Sequence, residues 1–290
     1  MARIAIVGPG AIGGVMAAWL AQTGRHEVAL CARRPLAGPL TVTNGSQVIT
    51  ADVDVLVDPA RARAVDWVLV ATKAYDAAGA AAWFPGLCAN GAPVAVLQNG
   101  VEHRERFAGF MAPEKVVPVM VDCPAERTGP LQVRQRGLAK LAVADDAPGR
   151  AFAALFVGTD VAVETSEDFK SVLWRKLCVN AAGVLPALLL KPAAVFQDER
   201  IGEIARGIVR ECIAVGRAEG ASLDDDLAES VLARYRAAPP DSVNSLHADR
   251  AAGRPTEIDA RNGVVVRLGR KHGIATPLNQ MAVALIEAGK

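Results

Sequence analysis

Two sets of residues in this sequence are spaced for chemistry. One can lay backbone against phosphate, and the other can manage a proton. The first set opens the chain, where Ala2-Arg3-Ile4-Ala5-Ile6-Val7 runs into Gly8-Pro9-Gly10-Ala11-Ile12-Gly13, followed by a small apolar stretch from Ala11 to Ala21. A Gly-x-Gly-x-x-Gly turn between a strand pattern and a helix pattern is the geometry of a dinucleotide pyrophosphate site: Gly8 permits the turn, Gly10 the approach of backbone to phosphate, and Gly13 close packing of helix on strand. The phosphates would rest on free amides at the helix start, favoured by its dipole, so Gly8, Gly10, Ala11, Ile12 and Gly13 are the expected cofactor contacts. The next strand pattern ends Cys31-Ala32-Arg33-Arg34-Pro35 with no acid. An acid there would hold a ribose 2′-hydroxyl, whereas a guanidinium fork suits a 2′-phosphate, so Arg33, with Arg34 second, points to NADP.

The second set lies in the other half of the chain. Read as a helix, Ser166–Leu190 places Phe169, Val172, Leu173, Lys176, Leu177, Asn180 and Val184 on one face, with Lys176 near the middle of the apolar stripe and Asn180 one turn on. A lysine in an apolar cleft can deliver a proton, because desolvation lowers its pKa; the same position also suits a lysine that snorkels to water. A further helix is expected to start at Pro255-Thr256-Glu257-Ile258-Asp259 and stop at Gly273. Glu257, on the face of Val264 and Leu268, then serves either as a site acid or as a first-turn acid that favours the dipole or pairs with Arg261. Thr72-Lys73 and Gln98-Asn99-Gly100 follow the strand patterns Trp67–Ala71 and Val94–Leu97. Ligands of open α/β sheets bind beyond such strand ends, which makes Thr72, Lys73 and Asn99 candidates for contact with cofactor or substrate.

The elements that must position these groups divide the chain. Strand-like runs at Ile4–Val7, Val28–Cys31, Trp67–Ala71, Val94–Leu97 and Val116–Val121 alternate with Ala-rich helical stretches, the pattern of a doubly wound, mostly parallel sheet. Residues 47–57 alternate like an antiparallel or edge excursion, and Leu131–Val143 and Val161–Thr165 read as final strands. Thr165-Ser166-Glu167-Asp168 reads as a helix start, and helical periodicity continues to the end. The expected organisation is an α/β Rossmann domain over residues 1–166, then an all-α domain over residues 167–290.

Composition narrows the function. A net charge of +1 over 290 residues gives no electrostatic case for nucleic acid or a membrane surface. No apolar run is expected to approach the length of a membrane span, and the N-terminus reads as a strand rather than a signal segment. Cys31, Cys88, Cys123, Cys178 and Cys212 are odd in number and scattered, which fits reduced thiols in the cytoplasm. His26, His103, His247 and His272 show no metal-ligand spacing, so no metal is expected.

Taken together, the motifs resemble the ketopantoate reductase family along the full chain. The most specific are Trp174-Arg175-Lys176-Leu177-Cys178-Val179-Asn180 and Thr256-Glu257-Ile258-Asp259-x-x-Asn262-Gly263, supported by Thr72-Lys73, Gln98-Asn99-Gly100 and His272-Gly273-Ile274-Ala275-Thr276-Pro277. The resemblance implies NADPH-dependent reduction of the ketone of a branched 2-oxo acid, in pantothenate biosynthesis. It implies that Lys176 protonates the forming alkoxide and that Glu257 holds the hydroxyl or the lysine. Asn99 and Asn180 would assist by hydrogen bonding, and Ser245 would contact the substrate carboxylate. The expected partner is a small 2-oxo acid, with room for a homodimer. Val184, His247 and the apolar residue near Ala194 depart from the family pattern. They leave open a different 2-oxo acid on the same scaffold. A non-catalytic NADP-binding protein is the third reading, against which the retention of Lys176 and Glu257 argues.

Overall fold

The computed structural model describes residues 1–289, which fold as two compact units. The first comprises Met1–Gln98 and His103–Phe169; the second comprises Asn99–Glu102 and the chain from Lys170 onward. The strands are β1 (Ala2–Val7), β2 (His26–Cys31), β3 (Leu40–Asn44), β4 (Gln47–Ala51), β5 (Asp54–Leu56), β6 (Trp67–Val70), β7 (Val94–Val96), β8 (Val116–Pro118), β9 (Met120–Asp122), β10 (Ala125–Gly129), β11 (Gln132–Gln135), β12 (Ala139–Ala144) and β13 (Val161–Ser166). The helices are α1 (Ala11–Gln22), α2 (Ala77–Ala81), α3 (Phe84–Leu87), α4 (His103–Phe107), α5 (Ala147–Leu155), α6 (Phe169–Ala182), α7 (Val184–Leu189), α8 (Glu199–Ala218), α9 (Leu227–Ala237), α10 (Ser245–Ala251), α11 (Val264–His272) and α12 (Pro277–Ala288).

In the first unit a parallel sheet runs β5-β2-β1-β6-β7-β8. Its central strands are continuous Val, Ile, Leu and Ala because both faces are covered. Ile4, Ile6 and Leu69 face one core with Met16 and Leu20 of α1; Val7, Val68, Val70 and Val94 face a second core with Trp83, Phe84 and Phe107. The β1–β6 neighbours place a change of winding direction directly beyond Val7, the usual ligand crevice of such sheets.

Residues 47–57 split as their alternating pattern suggests. β4 pairs antiparallel with β3, and β5 becomes the parallel edge beside β2. The strands β10-β11-β3-β4 form a second sheet that packs over α1. A Cβ on Gly14 would lie 2.8 Å from Val133 Cγ2 of β11, and Trp19 Nε1 donates to Gln135 Oε1 at 3.0 Å. With protein on both sides, the middle of α1 has no polar face to show, which accounts for its run of Gly, Val, Met, Ala, Trp and Leu from Gly13 to Leu20.

Two runs read as single strands are each broken. Leu131–Val143 divides at Gly137, whose φ of +91° turns the chain, so β11 and β12 belong to different sheets. Residues 116–121 divide between β8, which ends at Pro118, and β9, which pairs antiparallel with β12. Proline is accommodated there because β8 is an edge strand.

The second unit is helical. Its core joins Trp174, Leu177, Cys178 and Ala181 of α6 to Ile208, Val209 and Cys212 of α8 and to Val264 and Val265 of α11. The helix expected from Ser166 begins at Phe169, because Ser166 remains in β13, paired with Ala144. Residues 169–189 form one helical stretch of 21 residues, long and apolar enough by composition to cross a membrane. This corrects the expectation that no run approaches that length. More than half of that stretch is buried within the protein, which explains its apolar character.

The helix expected from Pro255 begins instead at Ile258, with a π-helical turn over Asp259–Gly263 before α11. Asn262 makes that wide turn tenable: its Nδ2 donates to Ala181 O (3.2 Å) and to Asn279 Oδ1 (2.9 Å). Asn279 Nδ2 in turn donates to Glu211 Oε2 at 2.7 Å, and the same carboxylate accepts from the backbone amides of Leu278 and Asn279 at the start of α12. Gly273 closes α11 at φ +68°, as its sequence position suggests.

Candidate active site

The phosphate cradle is built by β1, the turn and α1. Gly8 sits at φ +100° and donates from its amide to Cys31 O of β2, while Gly10 N donates to Gly8 O at 2.8 Å. A Cβ on Gly8 would lie 2.7 Å from Thr72 N, and one on Gly13 would lie 2.2 Å from Gly8 O, so both are fixed by close backbone approach. Nothing lies within 4 Å of the place a Cβ would take on Gly10. The first turn of α1 carries no acid and no side-chain cap, so the first-turn amides around Ala11 and Ile12 have no side-chain claimant. Open space over Gly10 and uncapped amides fit a pyrophosphate.

Arg33 lies just past β2. Its side chain is 91% exposed, and NH1 stands 3.9 Å from Asp76 Oδ2. At that distance and exposure the guanidinium is held only loosely and can turn to an incoming phosphate. Thr72 and Lys73 leave β6 beside the cradle. Gln98, buried at the end of β7, ties them down: Nε2 donates to Thr72 Oγ1 (3.1 Å) and to Lys73 O (3.3 Å), and Oε1 accepts from Arg106 NH1 at 3.3 Å. The sequence motif contains Gln98, but nothing in its type or spacing identified it as a clasp between two strand ends.

The second unit carries the other group. Asn180 Nδ2 on α6 donates to Asn99 Oδ1 at 3.2 Å, and Asn99 Nδ2 donates to Glu257 Oε2 at 3.1 Å. Lys176 stands one turn before Asn180 on the same helix face. The periodicity places Lys176 near the middle of the apolar stripe, whereas the structure sets it on the flank. Phe169, Leu177, Asn180 and Val184 of the expected stripe are buried, together with Ser171, Trp174, Cys178 and Ala181, while Val172, Leu173 and Lys176 are half-buried on the flank. A half-buried lysine can pack its stem against apolar neighbours while its charged head stays at the edge of them.

Glu257 precedes the π turn rather than lying in a first helical turn. It belongs to the same unit as Lys176. Asn99 belongs to this unit as well, although the strand before it belongs to the first. The segment Asn99–Glu102 is held by Arg267 of α11, whose NH2 reaches Glu102 Oε2 at 2.5 Å, and by Val101, which packs on the helical core.

Ser245, exposed at the start of α10, accepts from Arg261 NH2 at 3.1 Å. Arg261 was legible only as a partner for Glu257. Its spacing to Val264, Val265 and Leu268 is the signal that places it on a buried face. Val184 and His247, read as departures in the pocket, are both buried. Val184 belongs to the apolar core, and the His247 amide donates to Asn244 Oδ1, capping α10. Among the described residues no cluster of three or more His, Cys, Asp or Glu side chains is placed to hold a metal ion.

The first unit holds a turn that suits a dinucleotide, and the second holds a lysine, two carboxamides and an acid, groups of the kind that steady an oxyanion. Residues 4–147 match the family Ketopantoate reductase PanE/ApbA, and residues 168–290 match Ketopantoate reductase PanE/ApbA C terminal. A 2-dehydropantoate 2-reductase of Caulobacter vibrioides is 51% identical over 99% of both chains. A PanE/ApbA family ketopantoate reductase from Ralstonia eutropha superposes with a TM-score of 0.90 at 34% identity, covering 99% of this chain and 98% of that one. A dimeric ketopantoate reductase from Staphylococcus aureus shares the fold, with a TM-score of 0.88 at 22% identity, covering 99% and 98%.

Proposed function

This chain belongs to the ketopantoate reductase family, and from that premise we propose that it reduces the 2-oxo group of 2-dehydropantoate to the hydroxyl of pantoate, the NADPH-dependent step of pantothenate biosynthesis. When bound, NADPH supplies the hydride. The chain's own residues manage the oxygen. The Lys176 ammonium lies against the carbonyl oxygen and gives it a proton as charge develops, an interaction stronger in the transition state than in the ground state. Glu257 orients the new hydroxyl or the lysine, and Asn99 holds Glu257 in place through its 3.1 Å hydrogen bond. Asn180 fixes Asn99 in turn. Ser245 receives the substrate carboxylate.

The hydrogen-bonded run Asn180–Asn99–Glu257, one turn from Lys176, carries this reading. It gathers the side chains of three sequence motifs into one cluster. Following nicotinamide absorbance with NADPH and ketopantoate tests it. A folded, NADPH-binding protein that leaves ketopantoate unreduced would overturn it, and a panel of 2-oxo acids would then identify the substrate.

Residues 1–166 and 167–290 remain the proposed cofactor and catalytic domains, with Asn99 contributed to the latter by the former's sequence. Gly8, Gly10, Ala11, Ile12, Gly13, Arg33, Thr72, Lys73 and Asn99 are the proposed cofactor contacts. Replacing Arg33 by alanine is expected to narrow the preference for NADPH over NADH by about ten- to a hundredfold, the worth of a charge-assisted hydrogen bond of about 1.5–3 kcal/mol. Comparing kcat/KM for the two cofactors checks this, and an unchanged ratio would remove Arg33 from 2′-phosphate recognition. We also propose a cytoplasmic homodimer. The five free cysteines support a reducing compartment, and sedimentation reads the assembly.

A further inference from the structure

Arg261 is 4% exposed, yet only one of its three guanidinium nitrogens has a hydrogen-bond partner. NH2 donates to Ser245 Oγ, while Nε and NH1 are buried without an acceptor. Burial lowers the guanidinium's pKa from its ordinary value, opposed by Glu257 first and then by Tyr235 and Asp249. An arginine stays protonated even so, and a buried cation with unfilled donors is among the costlier arrangements a fold can keep. The carboxylates of Glu257 and Asp249 act on its charge, yet neither accepts a hydrogen bond from Nε or NH1. A carboxylate presents two acceptors in the plane of that fork and so matches its unfilled donors. The route to this cation is set by Ser245, which is exposed while Arg261 lies behind it. A ligand that reaches the Ser245 hydroxyl therefore meets the guanidinium next.

We propose that Arg261 is a substrate-binding residue that takes the carboxylate of the 2-oxo acid, forming with Ser245 a buried anion subsite that selects acids over neutral ketones. This rests on the 2-oxo acid reading above. The π turn over Asp259–Gly263 gives the residue its place. A helix with five-residue closure sets Arg261 and Glu257 differently from a regular one, and such turns gather at functional sites.

The test compares ketopantoate with the neutral 2-oxo amide of the same carbon skeleton. Arg261→Met, which keeps length and loses charge, is expected to raise KM for the acid about ten- to a hundredfold. Affinity for NADPH and the constants for the amide should stay within a few fold. Arg261→Lys should recover part of the loss. Equal shifts for acid and amide, or an unmoved KM for the acid, would assign Arg261 to folding alone and overturn the proposal. Should Arg261→Met not fold, as read by circular dichroism, the wild-type protein decides: its KM for the acid must lie well below that for the amide, and Ser245→Ala must narrow the gap. If another 2-oxo acid is the true substrate, the ketopantoate reading fails and the same comparison is made on that acid and its amide.

Discussion

Lys176→Ala is expected to lower kcat and kcat/KM together by about 10²–10⁴, the usual worth of a positioned general acid, with little change in NADPH affinity. The side chain leaves a half-buried flank of α6, not its core face, so the truncation removes a charge without opening a cavity among Trp174, Leu177 and Cys178. Stability should therefore hold, and circular dichroism should show the helical content of the parent protein. Steady-state kinetics and a fluorescence titration with NADPH separate proton delivery from binding. A lysine that only shields apolar surface would give a change within a few fold, and a folded variant with near-normal turnover on the true substrate would remove Lys176 from the mechanism.

Substitutions in the glycine turn should separate binding from folding. Gly10→Ala adds a methyl where no protein atom lies within 4 Å, at a backbone φ of −84° that alanine adopts freely. Stability should not fall. NADPH affinity should drop by about ten- to a hundredfold, as a methyl holds the pyrophosphate off the amides. Gly13→Ala behaves differently. Alanine improves helix propensity by about 0.8–1.0 kcal/mol, but its Cβ would stand 2.2 Å from Gly8 O. Relieving that contact means moving backbone of the turn itself, and overpacking costs about 1–3 kcal/mol. The steric term outweighs the propensity gain, so Gly13→Ala should lose both thermal stability and NADPH affinity. Thermal melts with and without NADPH check the pair. A Gly10→Ala protein that binds NADPH as tightly as the parent would show that the phosphates lie elsewhere.

Local signals carried much of this fold. Continuous apolar runs such as Ile4–Val7 and Val94–Leu97 found the parallel sheet because strands buried on both faces need no alternation. Gly273 ended α11 where glycine alone sits comfortably at positive φ. Other features were set by distant partners. The strand Leu40–Asn44 and the break at Gly137 exist because α1 needs a second cover, and nothing within either segment announces that. The displaced stripe on α6 has the same origin. Its burial is decided by α8 and α11 rather than by the helix's own periodicity, and Ser171 and Trp174 face inward where the pattern suggested Val172 and Leu173. Lys176, Asn180 and Glu257 were legible as motif residues. Arg261 was not, because a guanidinium at i+4 from a glutamate reads first as an ordinary surface pair.

The segment Asn99–Glu102 gives the second unit a property that its helices conceal. It is not a cassette in the gene. A fragment cut at Lys170 would encode every helix from α7 to α12 and most of α6, yet it would lack Asn99, the partner of Asn180 and Glu257, and Glu102, the partner of Arg267. Shuffling of helical units between relatives at that border would therefore transplant half of a hydrogen-bonded cluster and rely on the recipient to supply the rest. Exchange is closed only when residues 99–102 travel with the helices, which ties the history of the catalytic unit to four residues embedded in the sequence of its neighbour.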